Sequence, residues 1–188
     1  MSLARISLLL ALAIPLPSQA AGREPQMTQQ QALDAAEQRL DNGGDASDIS
    51  ARLHKSRGLS KEDARRLELI DARCALLAGQ WATSEKLLGR LRAASPDDAR
   101  LSEWYARALD GVGKGEQALP LLAKLAEHDQ LHDGDSYWML AQLERKGGER
   151  KRALEHARAA LAHPIVLQSD ELDHEIHRFI VELGGKDK

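Results

Sequence analysis

The sequence predicts an all-α protein: a right-handed solenoid of helical hairpins with capping helices at its ends. Gly79, Gly113 and Gly148 recur at spacings of 34 and 35 residues, each between two apolar-periodic segments. Hydrophobic residues make up 43% of the chain but aromatic residues only 3%, so a core of Leu and Ala needs helices that approach closely. At 188 residues there is room for one domain of ordinary size rather than two comfortable cores.

Residues 1–20 read as a signal peptide. Arg5 supplies the positive start, Ile6 to Leu16 a short apolar run, and Ser18-Gln19-Ala20 a small-x-small cleavage site. The run is too short for a good membrane span, and Pro15 and Pro17 suit a leader better. The expected location is periplasmic or secreted, with no stable membrane insertion after cleavage. The residue just after the cleavage site is Ala21 and not Cys, which disfavours lipid attachment there. Residues 21–27 read as a flexible mature terminus. Cys74 is the single cysteine, so stability must come from packing, and a buried helical thiol is the expected state.

Residues 28–58 form an irregular helical cap. Thr28 opens a helix along Ala32, Ala35, Ala36 and Leu40, which Asp41-Asn42-Gly43-Gly44 stops. A short helix follows from Ser47 to Leu53. The pair is expected either to stack in sequence on the next unit or to fold back across it.

Residues 60–164 hold three hairpins. Ser60 and Asp63 resemble a capping box, opening a helix with Leu67, Ile70, Cys74 and Leu77 on one stripe. Gly79 ends it in the left-handed conformation, and the returning helix carries Leu87, Leu88 and Leu91 and stops before Pro96. Asp97 and Asp98 then sit at a helix start that favours acids. The second hairpin runs through Leu101, Trp104, Tyr105 and Leu109, turns at Gly111 to Gly115, and returns through Ala118, Leu122 and Leu125. With three glycines in five residues, this turn is expected to be the softest point. Tyr137, Met139, Leu140 and Leu143 open the third, which returns through Ala153, Ala157 and Ala160. Residues 168–183 make a capping helix with a charged outer face, Ser169 at its start, and residues 184–188 a flexible tail.

This pattern resembles the tetratricopeptide repeat family, whose unit is a 34-residue helix-turn-helix. The third hairpin matches best, through Tyr137, Leu140-Ala141, Gly148, Ala153, Ala157, Ala160 and Pro164. The second keeps Ala106, Gly113, Ala118 and Leu119, but Ser102 and Leu109 replace preferred aromatics. In the first, Ala72, Gly79, Leu88 and Pro96 fit, whereas Asp71 replaces Leu and Ser84 replaces Ala.

The resemblance implies a non-enzymatic scaffold whose first helices line a concave groove. Carried over, the family's groove positions are Arg66, Leu69 and Arg73; Arg100, Glu103, Arg107 and Asp110; and Asp135, Trp138, Gln142, Arg145 and Lys146. Half of these twelve are basic, so one reading is a locally positive face that grips an acidic segment or a free C-terminal carboxylate of a partner protein. The other reading is a solvated face on which arginines pair with nearby acids. Trp138 is expected to wall the groove, and Trp81 and Trp104 to pack between hairpins. Because Tyr137, Trp138 and Met139 are contiguous, at least one should face away from the core.

Other chemistries find little support. His174-Glu175-Ile176-His177 lacks zinc-protease spacing, and Gly111 to Gly115 is not followed by the Lys-Ser/Thr of a phosphate loop. His128, His132, Asp129, Asp133 and Asp135 form a second acid-histidine cluster, but neither a metal nor a cofactor is expected. The net charge of −3, which becomes −4 once Arg5 leaves with the leader, gives no push toward nucleic acid. The expected function is an exported adaptor. The alternative is a structural or self-assembling envelope protein that uses an end or convex surface, with a homo-oligomer left open.

Overall fold

The computed structural model describes residues 27–164 and 170–184. Residues 1–26, which hold the expected signal peptide, 165–169 and 185–188 fall outside that range.

Nine helices follow one another among the described residues: α1 (Gln29–Asp41), α2 (Ser47–Lys55), α3 (Lys61–Leu77), α4 (Trp81–Ala94), α5 (Ala99–Gly111), α6 (Gly115–Glu127), α7 (Gly134–Lys146), α8 (Arg150–Ala162) and α9 (Asp170–Glu182). Their starts are set locally. The Thr28 hydroxyl accepts from Gln31 N–H while the Gln31 side chain accepts from Thr28 N–H, a complete capping box. The acid at Asp63 does not reach the Ser60 backbone; instead the Ser60 hydroxyl accepts from Asp63 N–H and donates to the Asp63 carboxylate. Asp98 and Asp133 cap α5 and α7 in the same position.

The three repeat glycines close their helices by one device. Gly79, Gly113 and Gly148 have φ of 68°, 81° and 85°, a region that costs glycine nothing. In each turn the residue after the glycine donates to the carbonyl five residues earlier: Gln80 to Ala75, Lys114 to Leu109 and Glu149 to Glu144. Gly43, at φ 73°, makes the same turn after α1, with Gly44 N–H on Arg39 O. The pair α1/α2 is therefore a shortened fourth hairpin. It stacks in sequence, since α1 packs on α3 and α2 touches both.

Chain neighbours pair, and α1, α3, α5 and α7 also meet in a row. Every unit thus touches only adjacent units, which is the logic of a solenoid. Small residues sit at the crossings: Ala72, Ala106, Ala118, Ala141, Ala153 and Ala157 have no exposed surface. Positions that depart from the repeat pattern carry hydrogen bonds. Ser84 is fully buried and donates to Ala72 O at 2.9 Å. Asp71 accepts from the Ser50 hydroxyl and lies 2.8 Å from His54 Nε2, joining α2 to α3. Ser102 accepts from Arg92 Nε at 3.1 Å.

One expectation needs correction. Tyr137, Trp138 and Met139 are all buried, because α7 is covered on several sides: Tyr137 stacks against His163, while Trp138 meets Phe179 of α9 edge-on at 4.8 Å. The glycines of the second turn serve close approach as well as freedom. A Cβ on Gly111 would lie 2.3 Å from the Trp81 ring, and one on Gly115 2.8 Å from Leu143 Cδ2. Cys74 is buried, and burial pushes its thiol above the ordinary range.

Candidate functional site

A groove of about 440 Å³ runs along the row of odd-numbered helices, a volume within the range of small binding sites. Helix α5 contributes its long axis: Arg100, Trp104, Arg107 and Gly111 fall at helical spacing on one stripe, with Asp110 beside them. Arg73, Leu76 and Leu77 enter from α3, Asp135, Trp138 and Met139 from α7, and Leu40 and Asp41 from α1. Trp81 of α4 and Leu172 of α9 complete the wall. Leu77 and Trp81, at 42% and 39% exposure, are large apolar side chains open to solvent.

Of the cations expected in a positive groove, Arg73, Arg100 and Arg107 line it, and the structure accounts for each. Arg73 Nη2 donates to Asp41 at 2.8 Å, with its guanidinium 4.5 Å from the centre of the Trp104 ring. Arg107 is clamped between Asp133 and the buried Ser136 hydroxyl, tying α5 to the start of α7. Arg100 is exposed and makes no hydrogen bond or ion pair among the described residues; its guanidinium lies 5.6 Å from the centre of the same Trp104 ring. Four aspartates, Asp41, Asp110, Asp133 and Asp135, share the lining with these three arginines, so the lining sums to −1.

Arg66 lies away from the groove, gripping α1. Its Nε and Nη2 donate to the two Glu37 oxygens at 2.8 and 2.6 Å, and Nη2 also donates to Asp34 at 2.6 Å. This fork, led by Glu37 and then Asp34, holds the guanidinium more firmly protonated than usual. Leu69 packs beside the Leu88 and Leu101 cluster. Gln142 is half-buried off the groove, and Lys146 is exposed. Arg145 turns to the C-terminal cap, 3.1 Å from Glu182 and over the Phe179 ring.

Glu103 is buried rather than groove-facing. It accepts from His132 N–H at 3.2 Å and lies 3.0 Å from His132 Nδ1. Among the described residues no three His, Cys, Asp or Glu side chains converge to hold a metal ion, and no helix is long and apolar enough to cross a membrane. Sequence reasoning assigned Trp104 to packing alone, although it falls on the Arg100–Arg107 stripe. Trp81 had no such local signal, since its place depends on Gly111 lying opposite.

Comparison with known proteins agrees with this architecture. Residues 75–144 match the tetratricopeptide repeat family model. No curated protein matches the chain. Among solved structures, a tetratricopeptide repeat protein from Parabacteroides merdae ATCC 43184 superposes with a TM-score of 0.58 at 17% identity, over 81% of this chain and 57% of that one. The chain thus spans little more than half the length of that neighbour, and the likeness is one of fold. The family-model match shows the resemblance to the tetratricopeptide repeat family, and the solved structure shows the likeness of fold.

Proposed function

We propose, from this repeat fold, that the protein is a non-enzymatic adaptor that holds a segment of another protein in the groove along α3, α5 and α7. Repeats of this family mediate protein–protein contacts, which is the coarse expectation for this chain. The observation that carries the specific reading is the pairing of exposed Leu77 and Trp81 in one cavity with Trp104 and Met139. Large apolar side chains gathered in an open cleft mark interaction surfaces. Of the four aspartates in the groove, Asp41 and Asp133 are paired with arginines, and among the described residues neither Cys74 nor a serine lines it.

Selection of a random peptide library on the mature chain, residues 21–188, tests this. Peptides enriched on wild type should be lost on Leu77→Lys, checked by circular dichroism to be folded. Equal retention by that variant moves recognition to the ends or the convex face, and no enrichment overturns the adaptor reading.

We propose further that the protein works outside the cytoplasm, on the strength of the Arg5, Ile6–Leu16 and Ser18-Gln19-Ala20 pattern. Intact mass of the protein from an envelope fraction should correspond to a chain beginning at Ala21. A full-length mass confined to the cytoplasm would overturn it.

A further inference from the structure

Inside its Asp98 cap, helix α5 carries its groove-lining end charges against the polarity of the helix. A helix favours acids in its first turn and bases in its last, because its amide end is positive and its carbonyl end negative. Helix α3 obeys with Glu62 and Asp63 in its first turn, and α7 with Asp135 at its start and Arg145 and Lys146 at its end. Helix α5 instead places Arg100 in the first turn and Asp110 in the last.

Both groups line the groove. Neither makes a hydrogen bond or ion pair among the described residues, whereas Arg73 and Arg107 of the same lining are each held by an aspartate. At the last turn the Asp110 side chain and the helix terminus add in the same sense; at the first, Asp98 caps the amides and Arg100 itself presents the positive charge to the groove. The Arg100 end attracts an anion, and the Asp110 end attracts a cation. Ten residues of helix separate the two by about 15 Å. Between them lies apolar wall from Trp104 to Trp81, the latter flat against Gly111.

We infer that the groove reads a short extended peptide in which an acidic and a basic side chain, about four residues apart, bracket apolar residues. Four steps of extended chain cover about 13 Å, and the side chains reach the remainder. The acid pairs with Arg100, the base with Asp110 beside the Trp81 ring, and the apolar residues between them cover Trp104 and Leu77. This rests on the groove reading above and adds charge order and spacing to it.

Five-residue peptides with blocked ends provide the test, by titration calorimetry on the mature chain. Acetyl-Asp-Leu-Phe-Leu-Lys-amide should bind about tenfold more tightly than acetyl-Gln-Leu-Phe-Leu-Gln-amide, the gain of two partly exposed ion pairs. Arg100→Glu should erase that advantage and transfer it to the peptide with Lys at both ends. Asp110→Lys should transfer it to the peptide with Asp at both ends. Neither substitution breaks a hydrogen bond or ion pair among the described residues, so the melting temperature should stay close to that of wild type. If the neutral peptide binds as tightly as the charged one, and Leu77→Lys still abolishes both, the groove stands and the charge order is overturned. Should wild type bind none of these peptides, both readings fall.

Discussion

The two ends of the solenoid are held together in different ways. Around α1 to α3 the buried cluster contains Leu, Ile, Ala and Cys74 but no aromatic ring. Over it, Asp34, Glu37 and Asp41 of α1 face Arg66 and Arg73 of α3. From α5 to α9 the buried cluster is larger and includes Tyr137, Trp138 and Phe179. Ion pairs are present there too, but several reach a buried carboxylate, as at Asp133, Glu103 and Glu144. One hairpin template thus accepts either cement, with different consequences. An end joined by partly exposed ion pairs responds to salt, whereas an end joined by apolar burial responds to the loss of volume.

The sharpest way to break that contrast is Trp138→Ala. Removing a buried ring that meets Phe179 edge-on should cost about 3–5 kcal/mol, read as a fall in the urea midpoint. Amides of Leu33 and Leu40 should keep more of their hydrogen-exchange protection than those of Leu140; equal loss would mean that the ends are not separable. Next in size is Arg107→Met, which leaves the buried Asp133 carboxylate without its cation and should cost about 3 kcal/mol by the same assay. A near-neutral result would show that Ser136 N–H alone satisfies Asp133. For the same reason, charge reversal at Arg107 is a test of stability more than of binding.

At the other end, Arg66→Gln should cost only about 1 kcal/mol, because Asp34 and Glu37 are partly exposed. Its effect on Leu33 exchange should largely disappear in 1 M NaCl, where wild type is already weakened. Smallest is Cys74. Its folded-state thiol titrates above the ordinary range, so the folded chain keeps its proton where the unfolded chain has lost it. Stability from this group is therefore constant at neutral pH and declines as pH rises through the thiol range. Thermal melts at pH 8 and pH 10 should separate slightly more for wild type than for Cys74→Ser; identical separations would place the thiolate in solvent.

Helix ends were legible because caps and left-handed glycines are local chemistry: Thr28, Ser60 and Gly79 need no knowledge of distant residues. The shared burial of Tyr137, Trp138 and Met139 was not, since it requires α9 to cover α7 from some 40 residues away. The groove was readable in part. Of the positions carried over from the family, Arg73, Arg100, Arg107, Asp110, Asp135 and Trp138 line one cavity. The same carry-over included Arg66 and Glu103, because a family position gives the face of a helix but not the partner facing it. Glu103 meets His132 across 29 residues, and Arg66 meets Asp34 across 32.

That last contact changes what the arginines of α3 mean. The forked grip expected of them on an acidic stranger is present, closed on Glu37 of the chain itself. Helix α1 is in effect a tethered first ligand, always at hand because it is covalently attached. A chain begun at Ser60 would present Arg66 and Arg73 beside the uncovered Leu67 and Ile70, a vacant receptor for any acidic amphipathic helix. In the intact protein that seat is taken, so the recognition proposed above rests on the groove around α5 instead.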